Sequence, residues 1–424
     1  MARVDWRFRV LAGLFIALTQ VAQPMHAEGV PGSINGIYRG TIGREQIVLE
    51  MGVEPPSGDN QSTGDSRDRK TYPIEGRYFY RRYGVDIRLV GMPLGDESFR
   101  LREYRRVPDD EFSAEWRLKV QGDRAVGTFC KCEMGDPSKP PGPLLKISLR
   151  RVSPEFYREF EAKDQDSYHE MLLDFPLTSG PEIEASTEIA YRMQSDPRFG
   201  VIRLQLTRFP DAGVMARINR EMARELKWDR WRAAANLSEG QFGAGVGGFY
   251  DESVSVNFFL PDVLSVLVDQ AWYWGGAHAN QSTYSLNYSL HTGKRFRLDQ
   301  ALQSSAGGAS AKDVAVLLGN LYLQHYVKPS DAYGGPYEKP SGEVVQMDCK
   351  EIIRESTSGK DEPFSATLYL SEKGLVIAPA LSYIQKECGP PITIPYRELR
   401  PFVKPHSMLR LVVDAKASQG AQQK

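Results

Sequence analysis

In Trp116-Arg117-Leu118-Lys119-Val120, apolar and charged side chains alternate along the chain. This alternation has the period of a β-strand with one face in a core and the other in water. The same pattern recurs upstream in Val85-Asp86-Ile87-Arg88-Leu89 and downstream in Leu145-Lys146-Ile147-Ser148-Leu149. We therefore predict that the first half of the chain is built from strands of a half-buried antiparallel sheet.

Turn sequences separate these stretches and set the number of strands. Tyr83-Gly84 and Gln121-Gly122-Asp123 are two of them, and residues 55–70 form a longer polar insert. Working outward from Trp116, about eight strands follow one another at the spacing of a meander. Residues 28–152 are therefore predicted to form a β-rich domain, an antiparallel meander that closes into a barrel or a sandwich.

The remainder of the chain mixes helical and strand patterns. Ser153-Pro154 is a favourable helix start, so residues 153–184 are predicted to be a helical connector. Asp211 can cap a helix that runs to about Ala235, with Met215, Ile218, Met222 and Leu226 on one face. Residues 185–412 are predicted to be an α+β domain with helices on a mostly antiparallel sheet. Residues 413–424 are predicted to be a polar tail.

The N-terminus has the order of a secretory signal peptide. Arg3, Arg7 and Arg9 are followed by an apolar run from Val10 to Leu18, and small and polar residues lead to Ala27. The apolar run is much shorter than the roughly 20 residues that span a membrane. We expect cleavage after Ala27, no membrane span in the mature protein, and a periplasmic or secreted location.

The balance of charge excludes a strongly basic protein. Lys and Arg number 53 and Asp and Glu number 54, so no overall field draws the chain toward nucleic acid. Five histidines lie outside the predicted signal peptide, and none has the spacing of a paired metal ligand. The sequence therefore predicts no nucleic-acid partner, no metal and no cofactor.

Four cysteines in an exported chain favour disulfides over thiol chemistry. The spacing favours a Cys349–Cys388 bridge and leaves Cys130 and Cys132 together. A bridge between residues two apart is strained, so two thiols on one strand face and a zinc site remain as alternatives for that pair.

Three patterns that resemble catalytic or cofactor motifs do not meet their structural requirements. Gly243 to Gly248 matches a dinucleotide fingerprint, but a helix precedes it and a strand follows it, which is the reverse of the required order. Ser265, Asp269 and His278 lie close in sequence, yet nothing makes them converge on one proton path. No nucleophile elbow occurs. We identify no catalytic residue.

The stretch richest in binding chemistry is Trp272-Tyr273-Trp274-Gly275-Gly276-Ala277-His278-Ala279-Asn280. Paired glycines let the backbone turn sharply, and aromatic rings beside an imidazole and an amide suit a mostly apolar site with a few polar groups. The alternative is that the tryptophans fill the core while His278 holds the turn. The candidate binding residues are Trp272, Trp274, Gly275, Gly276, His278 and Asn280.

This stretch also carries a resemblance. Together with Tyr284-Ser285-Leu286-Asn287-Tyr288, Thr292-Gly293-Lys294 and Leu298-Asp299, it resembles the RsiV-type domain. Ile394-Pro395-Tyr396-Arg397-Glu398-Leu399 resembles the closing strand of that domain, so the resemblance covers roughly residues 185–412. The domain forms the exported part of the RsiV anti-sigma factor and precedes the catalytic domain of certain peptidoglycan deacetylases. The resemblance implies an α+β domain that binds a protein or a wall component, lysozyme being the partner of RsiV.

These observations favour an exported envelope protein that binds lysozyme or a cell-wall glycan such as peptidoglycan. The competing interpretation is an envelope glycan hydrolase. A glycosidase needs two carboxylates that face each other at about 5 to 9 Å, and the sequence does not say which pair would serve.

Overall fold

The computed structural model describes residues 34–53, 73–104, 112–131, 142–154, 167–243, 248–260, 262–273, 278–304, 310–327, 336–338, 344–346, 349–358, 363–381 and 383–422. The predicted signal peptide, residues 1–27, lies outside the described residues.

The first half of the chain is a closed eight-stranded barrel. Each strand pairs antiparallel with its neighbour in sequence, and the eighth strand pairs back with the first. The predicted meander is therefore confirmed as a barrel. Its strands are β1 (Gly36–Ile42), β2 (Glu45–Val53), β3 (Ile74–Tyr80), β4 (Ile87–Gly95), β5 (Ser98–Tyr104), β6 (Phe112–Gln121), β7 (Arg124–Cys130) and β8 (Leu144–Ser153).

Alternate residues of the barrel strands fill its interior. Trp116, Tyr78 and Phe99 are almost fully buried there, whereas Arg117 and Lys119 point outward into water. The alternation quoted for Trp116 to Val120 thus separates the barrel interior from its surface.

Glycine on β7 allows two strands of the barrel to approach closely. A Cβ atom on Gly127 would lie 1.8 Å from the backbone oxygen of Arg117 on β6. No side chain fits at that distance, so any other residue forces the strands apart.

We predict that Gly127→Ala lowers the free energy of unfolding by about 2–3 kcal/mol, because the added carbon overpacks a backbone contact. Chemical denaturation followed by tryptophan fluorescence measures the loss. Gly180→Ala is the control, since its Cβ would meet only Met193 O at 3.4 Å, and it should change stability by less than about 0.5 kcal/mol. Equal losses for the two variants would contradict the close approach.

The second half contains further strands and all six described helices, so the chain as a whole is α+β. The strands are β9 (Thr178–Ser179), β10 (Ile183–Glu184), β11 (Ala190–Asp196), β12 (Val201–Arg208), β13 (Phe249–Leu260), β14 (Val263–Tyr273), β15 (Asn280–Ser289), β16 (Arg295–Phe296), β17 (Pro336–Glu338), β18 (Val344–Gln346), β19 (Ala366–Leu370), β20 (Gly374–Pro379) and β21 (Ile392–Pro395). The helices are α1 (Ser167–Leu173), α2 (Ala212–Gly243), α3 (Ala311–His325), α4 (Cys349–Ser358), α5 (Tyr396–Leu399) and α6 (Met408–Gln422). Short 3₁₀ turns cover Asp299–Ala301, Tyr383–Cys388 and Arg400–Phe402.

Three antiparallel sheets of three or more strands organise the described part of this half. In the first, β11 pairs with β9, β10 and β12. The second, here called the central sheet, has the order β13-β14-β15-β16, and α2 packs against β12, β13 and β14. A third sheet, β19-β20-β21, shares a core with α3 and α6.

Helix α2 begins where the sequence places its cap, because Asp211 Oδ1 accepts a hydrogen bond of 2.9 Å from the backbone N–H of Val214. Its buried face includes Ile218, Met222 and Leu226, as predicted. The helix continues to Gly243 rather than ending near Ala235.

The barrel packs on the second half through its outer surface. Ile37, Val48 and Phe79 point away from the barrel interior and form a cluster with Tyr168 and Leu172 of α1. Beside them the buried Arg77 guanidinium pairs with Glu50 at 2.7 Å and lies 4.2 Å from the centre of the Tyr168 ring. The barrel is thus joined to α1 by apolar burial and a buried ion pair.

Three segments differ from the expectation. In the predicted connector, α1 is followed by the short strands β9 and β10. The predicted polar tail instead continues α6, with Val413 buried. The predicted closing strand ends at Pro395, and Tyr396 to Leu399 is helical, with Tyr396 and Leu399 buried in the core.

The Cys349–Cys388 disulfide is confirmed, and it joins the start of α4 to the 3₁₀ turn before β21. Cys130 is also disulfide-bonded, and its partner lies outside the described residues. The thiol and zinc alternatives therefore do not apply to Cys130.

Candidate functional site

The central sheet has two faces of different character. Direct cross-strand partners lie on the same face, so the registers of β13, β14 and β15 assign each side chain to one face. One face packs on α2 with Leu264, Val266 and Leu286. The other face is exposed at Phe249, Asp251, Ser253 and Ser255 of β13, whereas its far end is buried through Phe258 and Val263 in the core shared with the third sheet.

On the face that packs on α2, charged side chains form a buried network. The Arg203 guanidinium on β12 pairs with Asp229 on α2 and Glu252 on β13. Gln270 Nε2 on β14 donates to Glu252 at 2.8 Å and to Asp229 at 3.1 Å. Tyr284 on β15 accepts from Arg203 at 2.7 Å. The network therefore connects five elements, and each of its charged groups is almost fully buried.

The pKa shifts in this network follow from burial and from its charges. Burial raises the pKa of the Glu252 carboxyl, and attraction to Arg203 only partly offsets that shift. Burial disfavours the charged Arg203 guanidinium, but its attraction to Glu252, Tyr284 and Asp229 is stronger and raises its pKa. Since its charged groups are almost fully buried, we interpret the network as the element that fixes α2 on the sheet rather than as a reaction centre.

We predict that Arg203→Met lowers the free energy of unfolding by about 3–5 kcal/mol at pH 7, because Asp229 and Glu252 lose their buried counter-charge. The folded-state pKa of Glu252 is already raised and should rise further. A carboxyl with a raised folded-state pKa contributes stability at low pH that is lost as the pH rises through that pKa. The loss should therefore be smaller at pH 5 than at pH 7.

Urea denaturation at both pH values measures this effect. Arg208→Met is the matched control on β12, because Arg208 makes half-exposed ion pairs with Glu182 and Glu184, and its loss should stay below about 1 kcal/mol. A loss for Arg203→Met that does not depend on pH would contradict the assigned electrostatics.

The opposite face, here called the open face, carries a pair of aromatic rings at one end. Phe249 on β13 and Tyr273 on β14 are direct partners, and their rings stack with centroids 6.2 Å apart and planes at 21°. Phe249 is 43% exposed. The sheet therefore presents a partly exposed aromatic pair at the start of β13 and the end of β14.

Polar side chains continue the open face from the aromatic pair. The next row is Asp251, Ala271 and Gln281, and the small Ala271 leaves a depression between its polar neighbours. Asp251 makes no hydrogen bond or ion pair within the described part of the chain. The Gln281 amide oxygen already accepts from Lys386 Nζ, so the Asp251 carboxylate is the acceptor available beside the rings.

The third row of the open face is Ser253, Asp269 and Thr283. Thr283 Oγ1 donates to Asp269 Oδ1 at 2.7 Å, and Thr367 on β19 donates to the backbone oxygen of Thr283 at 2.6 Å. Burial and the charge of Asp269 raise the pKa of Tyr369, also on β19. Strand β19 therefore bounds the open face on this side.

The residues predicted from the stretch around Trp272 do not share one face. Trp272 lies on the face opposite Tyr273 and packs against the cluster between the barrel and α2. Asn280 is its cross-strand partner and is exposed, as is His278 just before β15. Trp274, Gly275 and Gly276 lie outside the described residues.

Sequence reasoning missed Phe249 and singled out the neighbours of Tyr273 instead. The available signal was the strand period, since in a strand Trp272 and Tyr273 must point to opposite faces. Phe249 carried no such signal, because its pairing with Tyr273 depends on the register between β13 and β14.

The sequence patterns that resembled catalytic or cofactor motifs do not form such sites in the described structure. Ser265 Oγ donates to Asn287 at 2.6 Å, while Asp269 accepts from Thr283, so the two side chains have separate partners. Gly243 ends α2 and β13 follows, which confirms the reversed order around the glycine-rich segment, although residues 244–247 lie outside the described ranges. The described residues contain no group of three His, Cys, Asp or Glu side chains that could hold a metal ion.

Comparison with known proteins gives structural neighbours only. No protein family and no curated protein matches the sequence. A DUF3298 family member from Bacteroides fragilis has 15% identity and a TM-score of 0.33, and the match covers 57% of this chain and 97% of that chain. A DUF3298 family protein from Pseudomonas aeruginosa has 17% identity and a TM-score of 0.29, with 55% and 97% covered. Among the described helices, none is long and apolar enough to cross a membrane.

Proposed function

We propose that this chain is an exported binding protein of the cell envelope and that its ligand is a cell-wall glycan held on the open face. The observation that carries this proposal is the stacked pair of Phe249 and Tyr273 at the exposed end of the open face. One pyranose ring has an apolar C–H face that can lie flat on such rings and hydroxyls that need polar partners.

The polar side chains beside the rings can serve as partners for sugar hydroxyls. The Asp251 carboxylate can accept hydrogen bonds from sugar hydroxyls, and the Gln281 amide can donate through its NH₂ group while its oxygen accepts from Lys386 Nζ. Asp251 and Gln281 are both exposed, and they lie on either side of Ala271. A few fixed polar groups beside an apolar surface give orientation and specificity in small-molecule sites.

The predicted signal peptide and the disulfides support an envelope location, since disulfides persist in oxidising compartments. The resemblance of residues around Trp274 to the RsiV-type domain points to the same location and includes lysozyme as an alternative partner. The exposed aromatic pair with polar neighbours favours the glycan.

Glycan hydrolysis is the second candidate because the open face carries two carboxylates. Asp251 pairs with Ala271, two positions from Asp269, so the two aspartates are diagonal neighbours with Cα atoms about 7–8 Å apart. Side chains on such diagonal positions of one face can bring their carboxyl groups to the roughly 5 to 9 Å separation that glycosidases use. The open face favours binding, since an exposed sheet neither encloses a scissile bond nor excludes water.

We predict that Phe249→Ala and Tyr273→Ala each weaken binding to purified, insoluble peptidoglycan by about tenfold, as expected when an aromatic anchor is removed. Co-sedimentation of the purified protein measures the affinity. Trp228→Ala is the matched control, because Trp228 on α2 is also 43% exposed but lies away from the central sheet's open face. Its affinity should not change.

Four results would contradict the proposal. If the wild-type protein does not sediment with peptidoglycan, or if all three variants bind equally, the aromatic pair is not a glycan site. Release of soluble fragments that Asp251→Asn abolishes would establish hydrolysis instead. Binding to lysozyme that is lost in Phe249→Ala, without glycan binding, would assign the face to a protein partner.

A further inference from the structure

Strand β15 has an edge that its neighbour covers only in part. On one side it pairs with β14 along its whole length, from Asn280 to Ser289. On the other side it pairs with β16 only at Asn287 and Tyr288. Beyond that point the described chain adds no further strand to this edge of the central sheet.

The direction of the backbone groups identifies which residues of the edge are available. The N–H of Ser289 donates to Lys294 at 3.0 Å, and its C=O accepts from Gly293 at 2.7 Å, so both groups point away from β14. Backbone direction alternates along a strand, so the groups of Asn287, Ser285 and Thr283 point the same way. Thr367 confirms this direction, because its hydroxyl donates to the outward oxygen of Thr283.

Ser285 therefore presents its N–H and C=O outward at a position that β16 does not reach. If β16 continued, Leu298 would be the next residue to bond there, since Asn287 pairs with Phe296. Instead the chain turns away into the 3₁₀ turn at Asp299–Ala301. No backbone group of the described residues is hydrogen-bonded to the N–H of Ser285.

The free edge opens into a cleft of about 790 Å³. One wall is α3 and another is the segment Phe364–Leu368, so Val314, Leu318 and Phe364 supply apolar lining. The charged groups at the cleft are already neutralised, since Arg297 pairs with Asp299 at 2.6 Å and Arg295 with Glu225 at 2.9 Å. The cleft thus combines unpaired backbone groups with apolar walls and little free charge.

We propose that this cleft binds an extended, uncharged peptide segment of a partner protein, which adds as a strand to the edge of β15 at Ser285. Backbone hydrogen bonds would give affinity, as in other cases of strand addition, and an apolar side chain would enter between α3 and Phe364. This site is distinct from the open face, because it uses the edge of β15 rather than the aromatic pair on β13 and β14.

The test uses the mature protein and a phage-displayed library of random heptapeptides. We expect the selected peptides to be uncharged, with at least one large apolar residue. Ser285→Pro should reduce their affinity at least about tenfold, because it removes the outward N–H and places a ring in the path of the peptide. Ser285→Ala is the matched control. It loses the hydroxyl bond to Leu368 O but keeps the N–H, so it should bind like the wild type.

Amide hydrogen exchange in the unaltered protein provides a second measurement that does not depend on the folding of the proline variant. The Ser285 amide should exchange rapidly in the free protein and become protected when a selected peptide is bound. Peptides that leave this amide unprotected, or a library that yields no binder, would overturn the proposal. Concentration-dependent dimerisation that protects Ser285 would also overturn it, in favour of a second copy of this chain. Loss of glycan binding in Phe249→Ala, with peptide binding intact, would separate the two sites.

Discussion

The guanidinium of Arg203 is buried at the point where β12, α2 and the central sheet meet, and a charge in that position requires compensation. Two carboxylates provide it, Asp229 from the helix and Glu252 from the sheet. Desolvating these groups is costly, so the arrangement persists only because each is also hydrogen-bonded by Gln270 or Tyr284. This requirement selects one position for α2 on the sheet. Because α2 then occupies that face, only the opposite face of β13 and β14 can present the aromatic pair to solvent.

The sequence predicted the barrel well because one local rule controls it. In an up-and-down barrel every strand pairs with its sequence neighbours, so alternation and turns determine both the strands and their order. Trp116 to Val120 shows this, since the same side chains that alternate in sequence separate the interior from the surface. Closure, in contrast, depends on the pairing of β8 with β1, two strands at opposite ends of the meander. Alternation left a sandwich equally possible, because it says nothing of that pairing.

The candidate site was less predictable because it depends on partners distant in sequence. Arg203 lies in a largely apolar strand, although arginine is a residue type usually found on the surface. Its partners Asp229 and Glu252 follow 26 and 49 residues later. The aromatic rings, imidazole and amide around Trp272 predicted a single binding site. A strand, however, points successive side chains to opposite faces, so such a stretch is divided between two faces. Trp272 serves the core, and Tyr273 joins Phe249 on the open face. The segment after Ile394 was predicted as a strand but is helical. Burial of Tyr396 and Leu399 is compatible with either structure, so their apolar character did not distinguish the two.

A strand can make contacts through two faces and one free edge, and the central sheet uses these directions for different purposes. One face is committed to α2 and the buried charges. The other face is polar only where it is left uncovered, whereas Phe258 and Val263 at its far end are buried in the core with the third sheet. The free edge of β15 arises for a separate reason, since β16 ends after two residues when the chain turns toward Asp299. Side-chain chemistry therefore determines what the open face can bind, whereas backbone geometry determines what the edge can bind. A substitution that changes a side chain on one of them should leave the other intact, so the two surfaces can serve different ligands on one rigid sheet.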